Sequence, residues 1–218
     1  MRTLVLRFCN LFRPAAESRV SSLIISKSDL FSAQPDELVI GYPSDLGIVE
    51  ESWDLLSQAL GETTYPNFIQ NAGADSFVAI HWRLGDYVGN DFQGVVSWDS
   101  IYECLRSNNL LKKEVRVFTD SPDLAASIIS GFDHDGRLEI VSSTIWNDLF
   151  RMTRARFFIG TNSQVSLLAA IALRKSRNRT AVFLPRPFFK TDKWKRFFRP
   201  PPSYRLRFNY YESRFMHP

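Results

Sequence analysis

The sequence is poor in the residues that announce metal or disulfide chemistry. It holds two cysteines, Cys9 and Cys104, and three histidines in 218 residues. The cysteines lie far apart and match no zinc spacing, so neither a disulfide framework nor a cysteine-based metal centre organises this chain, and a reducing, cytoplasmic compartment is the expectation. No GxGxxG follows an apolar run, and no GxxxxGK[ST] occurs, which removes the usual dinucleotide fingerprint and the P-loop. No stretch approaches the roughly 20 apolar residues of a membrane-spanning helix. The opening MRTLVLRFCNLF is too short and too interrupted for a signal peptide. There is no internal repeat and no low-complexity segment.

What is present is apolar material and an uneven distribution of charge. Hydrophobic residues make up 44% of the chain and aromatics 14%, enough for one full core, or one core and a partial second domain. The net charge of +4 divides into two parts. Residues 174–218 carry 13 Lys and Arg against 2 Asp and Glu, a net of +11. The rest carries 14 against 21, a net of −7. A basic end on an acidic body points to an anionic partner: a nucleotide, a nucleic acid or a membrane surface. The cations crowd one end without a nucleic-acid-binding motif, so no nucleic-acid partner is expected. They form either a solvated face or a peripheral contact with an anionic membrane surface.

From about residue 75 the pattern alternates between short apolar runs and amphipathic stretches. FVAIHW, VRVFTD, RLEIVS, RFFIG and RTAVFLP read as five strands, the last closed by Pro185. Between them SWDSIYECLR, SPDLAASIIS, STIWNDLFRMTRA and NSQVSLLAAIALRK read as helices. Ser97 is the expected cap of the first, and Ser121 with Pro122 the expected start of the second. Strands alternating with helices predict an α/β fold, a Rossmann-like parallel sheet with helices on both faces. The first 75 residues are less regular. VSSLIIS and ELVIGY are possible strands, IVEESWDLLSQAL is a good helix pattern, and ETTYPNFIQNAGAD reads as a linker. Beyond Lys190 the chain is rich in Phe, Arg and Pro with no clear period. The expected divisions are therefore 1–75, a reduced N-terminal region and linker; 76–190, the Rossmann-like domain; and 191–218, a basic aromatic tail.

Ligands of open parallel sheets bind at the carboxyl ends of the strands. There the chain sets His81, Arg83 and Asp86; Thr119, Asp120 and Ser121; Ser142, Ser143 and Thr144; Thr161, Asn162 and Ser163; and Arg186. This inventory suits a phosphorylated ligand. Arg83 carries the planar fork that matches phosphate oxygens. GTNS opens an apolar helix whose first N–H groups attract anions. Asp120 is a candidate acceptor for a ribose hydroxyl or a base N–H. Each residue also has a plainer reading: His81 as a buried hydrogen-bonded histidine, Arg83 with Asp86 as a turn-holding ion pair, Asn162 and Ser163 as a helix cap.

These residues carry a resemblance. HWRLGD is similar to the HxRxGD motif of fucosyltransferases, above all the α-1,2-fucosyltransferases of glycosyltransferase family 11. VFTDSPD resembles their strand ending in Phe-Ser-Asp-Asp. NDLFRMTRARFFIGTNSQVSLLAAIAL resembles their segment with Asn-Ser before paired tryptophans, and AVFLPRPFF resembles the strand that follows. The likeness runs through 77–189, about half the chain. It departs at Leu84, where the family has a second arginine, and at Leu167 and Leu168, where it has the tryptophans. No counterpart of the family's GGLGNQMFQYA-like opening occurs, so the chain is expected to be a fragment or to have a reduced acceptor-binding half.

The resemblance implies a GT-B glycosyltransferase that moves fucose from GDP-fucose to a glycan hydroxyl with inversion, with no metal and no other cofactor. By position it implies that Arg83 binds the diphosphate and stabilises its departure. Thr161, Asn162 and Ser163 hold phosphate oxygens, His81 and Asp120 contact the guanosine, and Asp86 braces the turn with a possible catalytic share. The alternative is a GDP-sugar-binding or anion-binding module without turnover.

Overall fold

The segment DSFVAIHW alternates two apolar sets with no polar face. Phe77 and Ala79 pack into one core layer, and Val78, Ile80 and Trp82 into the other. A strand buried on both sides belongs in the middle of a covered parallel sheet. The computed structural model puts it there. It describes residues 24–25, 42–43, 75–89, 94–132, 137–175, 180–188, 190 and 208–216.

Two short strands, β1 (Ile24–Ile25) and β2 (Tyr42–Pro43), pair in parallel. The main sheet is built from β3 (Asp75–Trp82), β4 (Val115–Thr119), β5 (Leu138–Val141), β6 (Ala155–Gly160), β7 (Ala181–Arg186) and β8 (Asn209–Glu212). Its order is β5-β4-β3-β6-β7-β8, every neighbouring pair parallel. The helices are α1 (Trp98–Ser107), α2 (Pro122–Ile129), α3 (Ile145–Arg154) and α4 (Gln164–Lys175). This is the expected Rossmann-like α/β architecture.

Each face has its own core. On one, α3 contributes Leu149 and Met152, and α4 contributes an unbroken buried run from Leu167 to Leu173. A helix that is apolar all round is one that is enclosed all round. On the other, Trp98, Ile101 and Leu105 of α1 and Ala125 and Ile129 of α2 meet Val115, Val117, Ile159 and Phe183. The Trp82 and Trp98 rings lie 5.0 Å apart, and the Trp82 indole donates to the Val96 carbonyl at 2.8 Å.

Ser97 accepts the Ser100 N–H and caps α1. Ser121 stands at the N-cap position of α2 with Pro122 opening the helix, as expected, although its side chain makes no capping bond and its N–H donates to Thr119 Oγ1. The structure departs from the sequence reading in three places. Pro185 does not close β7. It lies within the strand, opposite Tyr211, and the strand runs on to Arg186. A sixth strand, β8, comes from the aperiodic region beyond 190. Of the two strands expected before residue 75, one contains β1, and the other meets β2 only at its last residue, Tyr42. The expected helix over 48–60 and the linker up to residue 74 lie outside the described residues.

After β8 the chain returns to the site side of the sheet. Ser97 N–H donates to the Arg214 carbonyl, Met216 N–H to the Val95 carbonyl, and Arg214 N–H to Ser100 Oγ, each at 2.8 Å. Tyr211 is buried and donates its hydroxyl to the Gly160 carbonyl at 2.9 Å, reaching past β7 to the end of β6. Burial holds its phenol well above the usual tyrosine range, so it is always a donor. Tyr211→Phe removes that bond, and a loss of about 1–3 kcal/mol is expected for a buried carbonyl left short of a partner. Urea denaturation of the variant against the wild type measures it.

Candidate functional site

The strand order reverses between β3 and β6. The chain moves outward from β3 to β4 and β5, then crosses back to lay β6 on the other side. Such a switch point leaves a crevice at the carboxyl ends of the two central strands, where the connections diverge. His81 is level with Gly160 in the β3–β6 ladder, and Trp82 with Thr119 in the β3–β4 ladder. The segments HWRLGD and GTNS therefore lie side by side at the position where such a crevice forms, with Asp120 beside them.

The turn after β3 is shaped by that aspartate. Asp120 Oδ1 accepts the backbone N–H groups of Leu84 at 2.9 Å and Gly85 at 3.2 Å. Its Oδ2 lies 3.1 Å from Arg83 Nε. The chain then makes a short 3-10 turn, Gly85–Tyr87, in which Tyr87 N–H donates to the Leu84 carbonyl. A Cβ on Gly85 would collide with Asp120 Oδ2, so glycine is required for this approach. Leu84, where the resembled family has an arginine, is wholly buried in the core.

Arg83 is held from two sides. Its Nε and Nη2 each lie 2.9 Å from Asp86 Oδ1, and its Nε also faces Asp120. Its side chain remains 26% exposed and that of Asp86 38%. The guanidinium carbon sits 5.8 Å from the Tyr87 ring centroid. The Arg83 backbone N–H reaches Thr161 Oγ1 at 3.4 Å, joining the two strand ends. The turn-holding ion pair and the position beside the helix start are thus both present.

Across the crevice, Thr161, Asn162 and Ser163 are all buried. Asn162 Nδ2 donates to the Gly94 carbonyl at 2.9 Å, and the Tyr87 hydroxyl donates to the Asn162 carbonyl at 3.3 Å. Ser163 Oγ accepts the Val165 N–H, and the Ser163 N–H turns back to the Thr161 carbonyl. The Thr161 N–H donates to Ser166 Oγ at 3.0 Å. Three amides of this stretch are thus satisfied internally, and the capping reading of Ser163 holds.

His81 alternates onto the α4 face of the sheet, where its Nδ1 meets Ser166 Oγ at 2.7 Å. Burial pushes the imidazole pKa down to about 4, with repulsion from Arg83 adding to the effect and the Asp120 charge opposing it. His81 is therefore neutral at physiological pH. Gly160 makes this contact possible: a Cβ there would lie 2.9 Å from Ser166 Cβ.

The remaining strand ends stay apart from this group. Ser143 donates to Asp148 Oδ1, and Thr144 accepts the Asn147 N–H, so both belong to the start of α3 beyond edge strand β5. Arg186 is exposed at the end of β7. Among the described residues no group of three His, Cys, Asp or Glu is arranged to hold a metal ion, and no helix is long and apolar enough to cross a membrane. Sequence reading missed Ser166 and Tyr87. Ser166 carried a signal, because it lies three residues past Ser163 at the start of a helix facing the strand that bears His81.

Comparison with protein families and with curated proteins finds no match. Among solved structures the chain is similar to POFUT1 in complex with GDP-fucose, at 16% identity and a TM-score of 0.35, covering 64% of this chain and 48% of that one. A second POFUT1 structure, in complex with GDP, is similar at 16% identity and a TM-score of 0.34, covering 63% and 47%. The chain spans about half the length of the solved structures it matches.

Two outcomes follow from the geometry. Gly85→Ala forces Asp120 off the turn and is expected to lower the thermal midpoint by several degrees, roughly what a loss of 1–2 kcal/mol produces; differential scanning calorimetry reads it. The second concerns pH. The unfolded chain binds a proton at His81 near pH 6.5, and the folded one only near pH 4. Between those values the unfolded state holds more protons, so stability falls as pH drops from about 6.5 to about 4, by roughly 3 kcal/mol from this group. Above that window the contribution is flat. Urea titrations from pH 7 to pH 4 should show a shallower decline in His81→Gln than in the wild type.

Proposed function

We propose that the crevice between β3 and β6 binds a nucleoside-diphosphate sugar, and that the chain is the donor-binding part of a fucosyltransferase-like glycosyltransferase using GDP-fucose. The observation that carries the reading is the position of Arg83. It stands at the end of a central strand, at the switch point, clamped by Asp86 and Asp120 and joined to the start of α4 through Thr161. A guanidinium so oriented has lost its rotamer freedom before the ligand arrives, which lowers the entropic cost of gripping a diphosphate. The HxRxGD-type motif that supplies it supports the α-1,2-fucosyltransferase assignment, and GDP-fucose as donor rests on that resemblance.

In this reading a glycan hydroxyl attacks the anomeric carbon from the face opposite the nucleotide and gives up its proton to water. The carbon–oxygen bond to the β-phosphate breaks, and GDP leaves with the bonding pair. Arg83 meets the charge that grows on the diphosphate. Thr161, Asn162 and Ser163 shape the wall on the other side. Asp120, with acceptor capacity beyond the three contacts it makes in the turn, takes a guanosine N–H or hydroxyl, and His81 contacts the same nucleotide. Asp86 holds the arginine fork in plane. In this reading the nucleotide-sugar domain is the sheet built from residue 76 onward, with β8 added to it from beyond residue 190, and the basic residues near that end suit an anionic surface. The scarcity of cysteine supports a cytoplasmic setting.

A second reading, a GDP-sugar-binding module without turnover, is favoured by the charge balance at the site. Arg83 already faces two carboxylates, which reduces its power to stabilise a departing diphosphate. Titration calorimetry with GDP and GDP-fucose, beside an assay of fucose transfer, separates the two. Arg83→Ala is expected to weaken GDP binding roughly tenfold or more, about 1.4 kcal/mol. Equal affinity in the variant would overturn the role of Arg83. Binding without transfer selects the module, and no binding by the wild type defeats both readings.

A further inference from the structure

Ser166 holds one hydroxyl proton and lies fully buried on the third position of α4. Its oxygen already accepts the Thr161 N–H at 3.0 Å, and His81 Nδ1 is 2.7 Å away. Two arrangements satisfy that short contact. Either Nδ1–H donates to the serine oxygen, or the serine O–H donates to a bare Nδ1. Among the described residues Ser166 Oγ touches no other acceptor. In the first arrangement its proton would be buried without a partner, which folded proteins avoid. In the second the serine proton and Nδ1 satisfy each other, and the imidazole proton is left on Nε2, on the side of the ring away from Ser166.

We propose that Ser166 is a positioning residue that locks His81 as the Nε2–H tautomer, so that His81 meets the bound nucleotide as a neutral hydrogen-bond donor to one of its oxygens. The donor role rests on the nucleotide-sugar reading; the tautomer does not. Three observations beyond the contact itself support it. Among the described residues no hydrogen bond engages Nε2, although His81 sits at the rim of the crevice, 8% exposed. Gly160 clears the space that lets Ser166 approach, since a side chain there would strike the serine Cβ. The imidazole is kept neutral by burial and by Arg83, so a single tautomer is what remains to be chosen. The chain Arg83 N–H to Thr161 Oγ1, Thr161 N–H to Ser166 Oγ, and Ser166 O–H to His81 Nδ1 then ties both walls of the crevice into one hydrogen-bonded unit.

The test uses nitrogen NMR on the full chain labelled at histidine, where three histidines are present. In the free wild-type protein, His81 is expected to give a pyridine-type signal at Nδ1 and a protonated, pyrrole-type signal at Nε2. Ser166→Ala should convert this into a mixture or into the opposite tautomer. Ser166→Cys, nearly the same size and still a weak donor, should restore part of the wild-type pattern and guards against a simple packing loss. A protonated Nδ1 in the wild type, or a His81 spectrum unchanged in Ser166→Ala, overturns the lock whether or not any nucleotide binds. GDP titration supplies the second arm. A wild-type Nε2–H signal that shifts on GDP addition, with affinity about fivefold lower in Ser166→Ala, supports the donor role. GDP binding that leaves Nε2–H unmoved overturns that role while leaving the nucleotide reading intact. Failure of the wild type to bind GDP removes the nucleotide reading and the donor role with it, and the tautomer in the free protein still decides the lock.

Discussion

One carboxylate organises the site. Asp120 stands at the end of β4, yet its partners are the backbone of Leu84 and Gly85 and the guanidinium of Arg83, all on the connection from β3. Without those bonds two amides on a tight turn would compete for water, and the turn would have no fixed direction. With them, the chain leaves β3 along a single path. Leu84 drops into the core, Gly85 passes against the carboxylate, and Tyr87 folds back far enough to reach the Asn162 carbonyl. The shape of the crevice follows from charge-assisted hydrogen bonds between neighbouring strand ends, supported by the wholly buried strands beneath.

The same carboxylate sets an electrostatic limit. Arg83 with Asp86 and Asp120 forms a cluster whose formal charge is negative, so the guanidinium alone does not make the crevice an anion trap. Two features offset this. Asp86 is more than a third exposed, where water screens its charge. The start of α4 presents its positive dipole end to the same space. Under the nucleotide-sugar proposal, an incoming anion would compete with Asp86 for the Nε–Nη2 edge of the arginine. That competition would favour ligands with more than one acceptor oxygen, because a bidentate partner replaces what a lone acceptor only disturbs.

Strands β3 to β7 were legible in the sequence because each is a short apolar run bounded by polar or turn-forming residues, and the helices between them show caps and periodic apolar positions. β8 was not, because only Tyr211 of NYYE is buried and the segment follows a stretch of Phe, Arg and Pro without period. Pro185 misled because proline usually ends a strand; here it is buried within one that has β8 as its outer neighbour. At the site, the strand-end rule brought His81, Arg83, Asp120 and Thr161 to one edge, and the coordinates put them together. What it could not supply was direction. That Asp120 turns toward the β3 connection depends on the path of a loop, and that Ser166 meets His81 depends on the rotation of α4 about its axis relative to β3. Neither quantity is written in residue spacing.

The uniform direction of the strands has a kinetic consequence. No two neighbours in either sheet are joined by a hairpin, and the one antiparallel contact among the described residues is an isolated bridge between Val96 and Phe215. Each ladder therefore closes only after an intervening connection has collapsed, and the β3–β6 ladder pairs residues as far apart along the chain as Val78 and Phe157. Such a topology has high contact order, with folding expected on the millisecond-to-second scale and with half-built sheets whose open margins attract other chains. The central position of β3 makes it the natural nucleus, since both halves of the sheet must assemble against it.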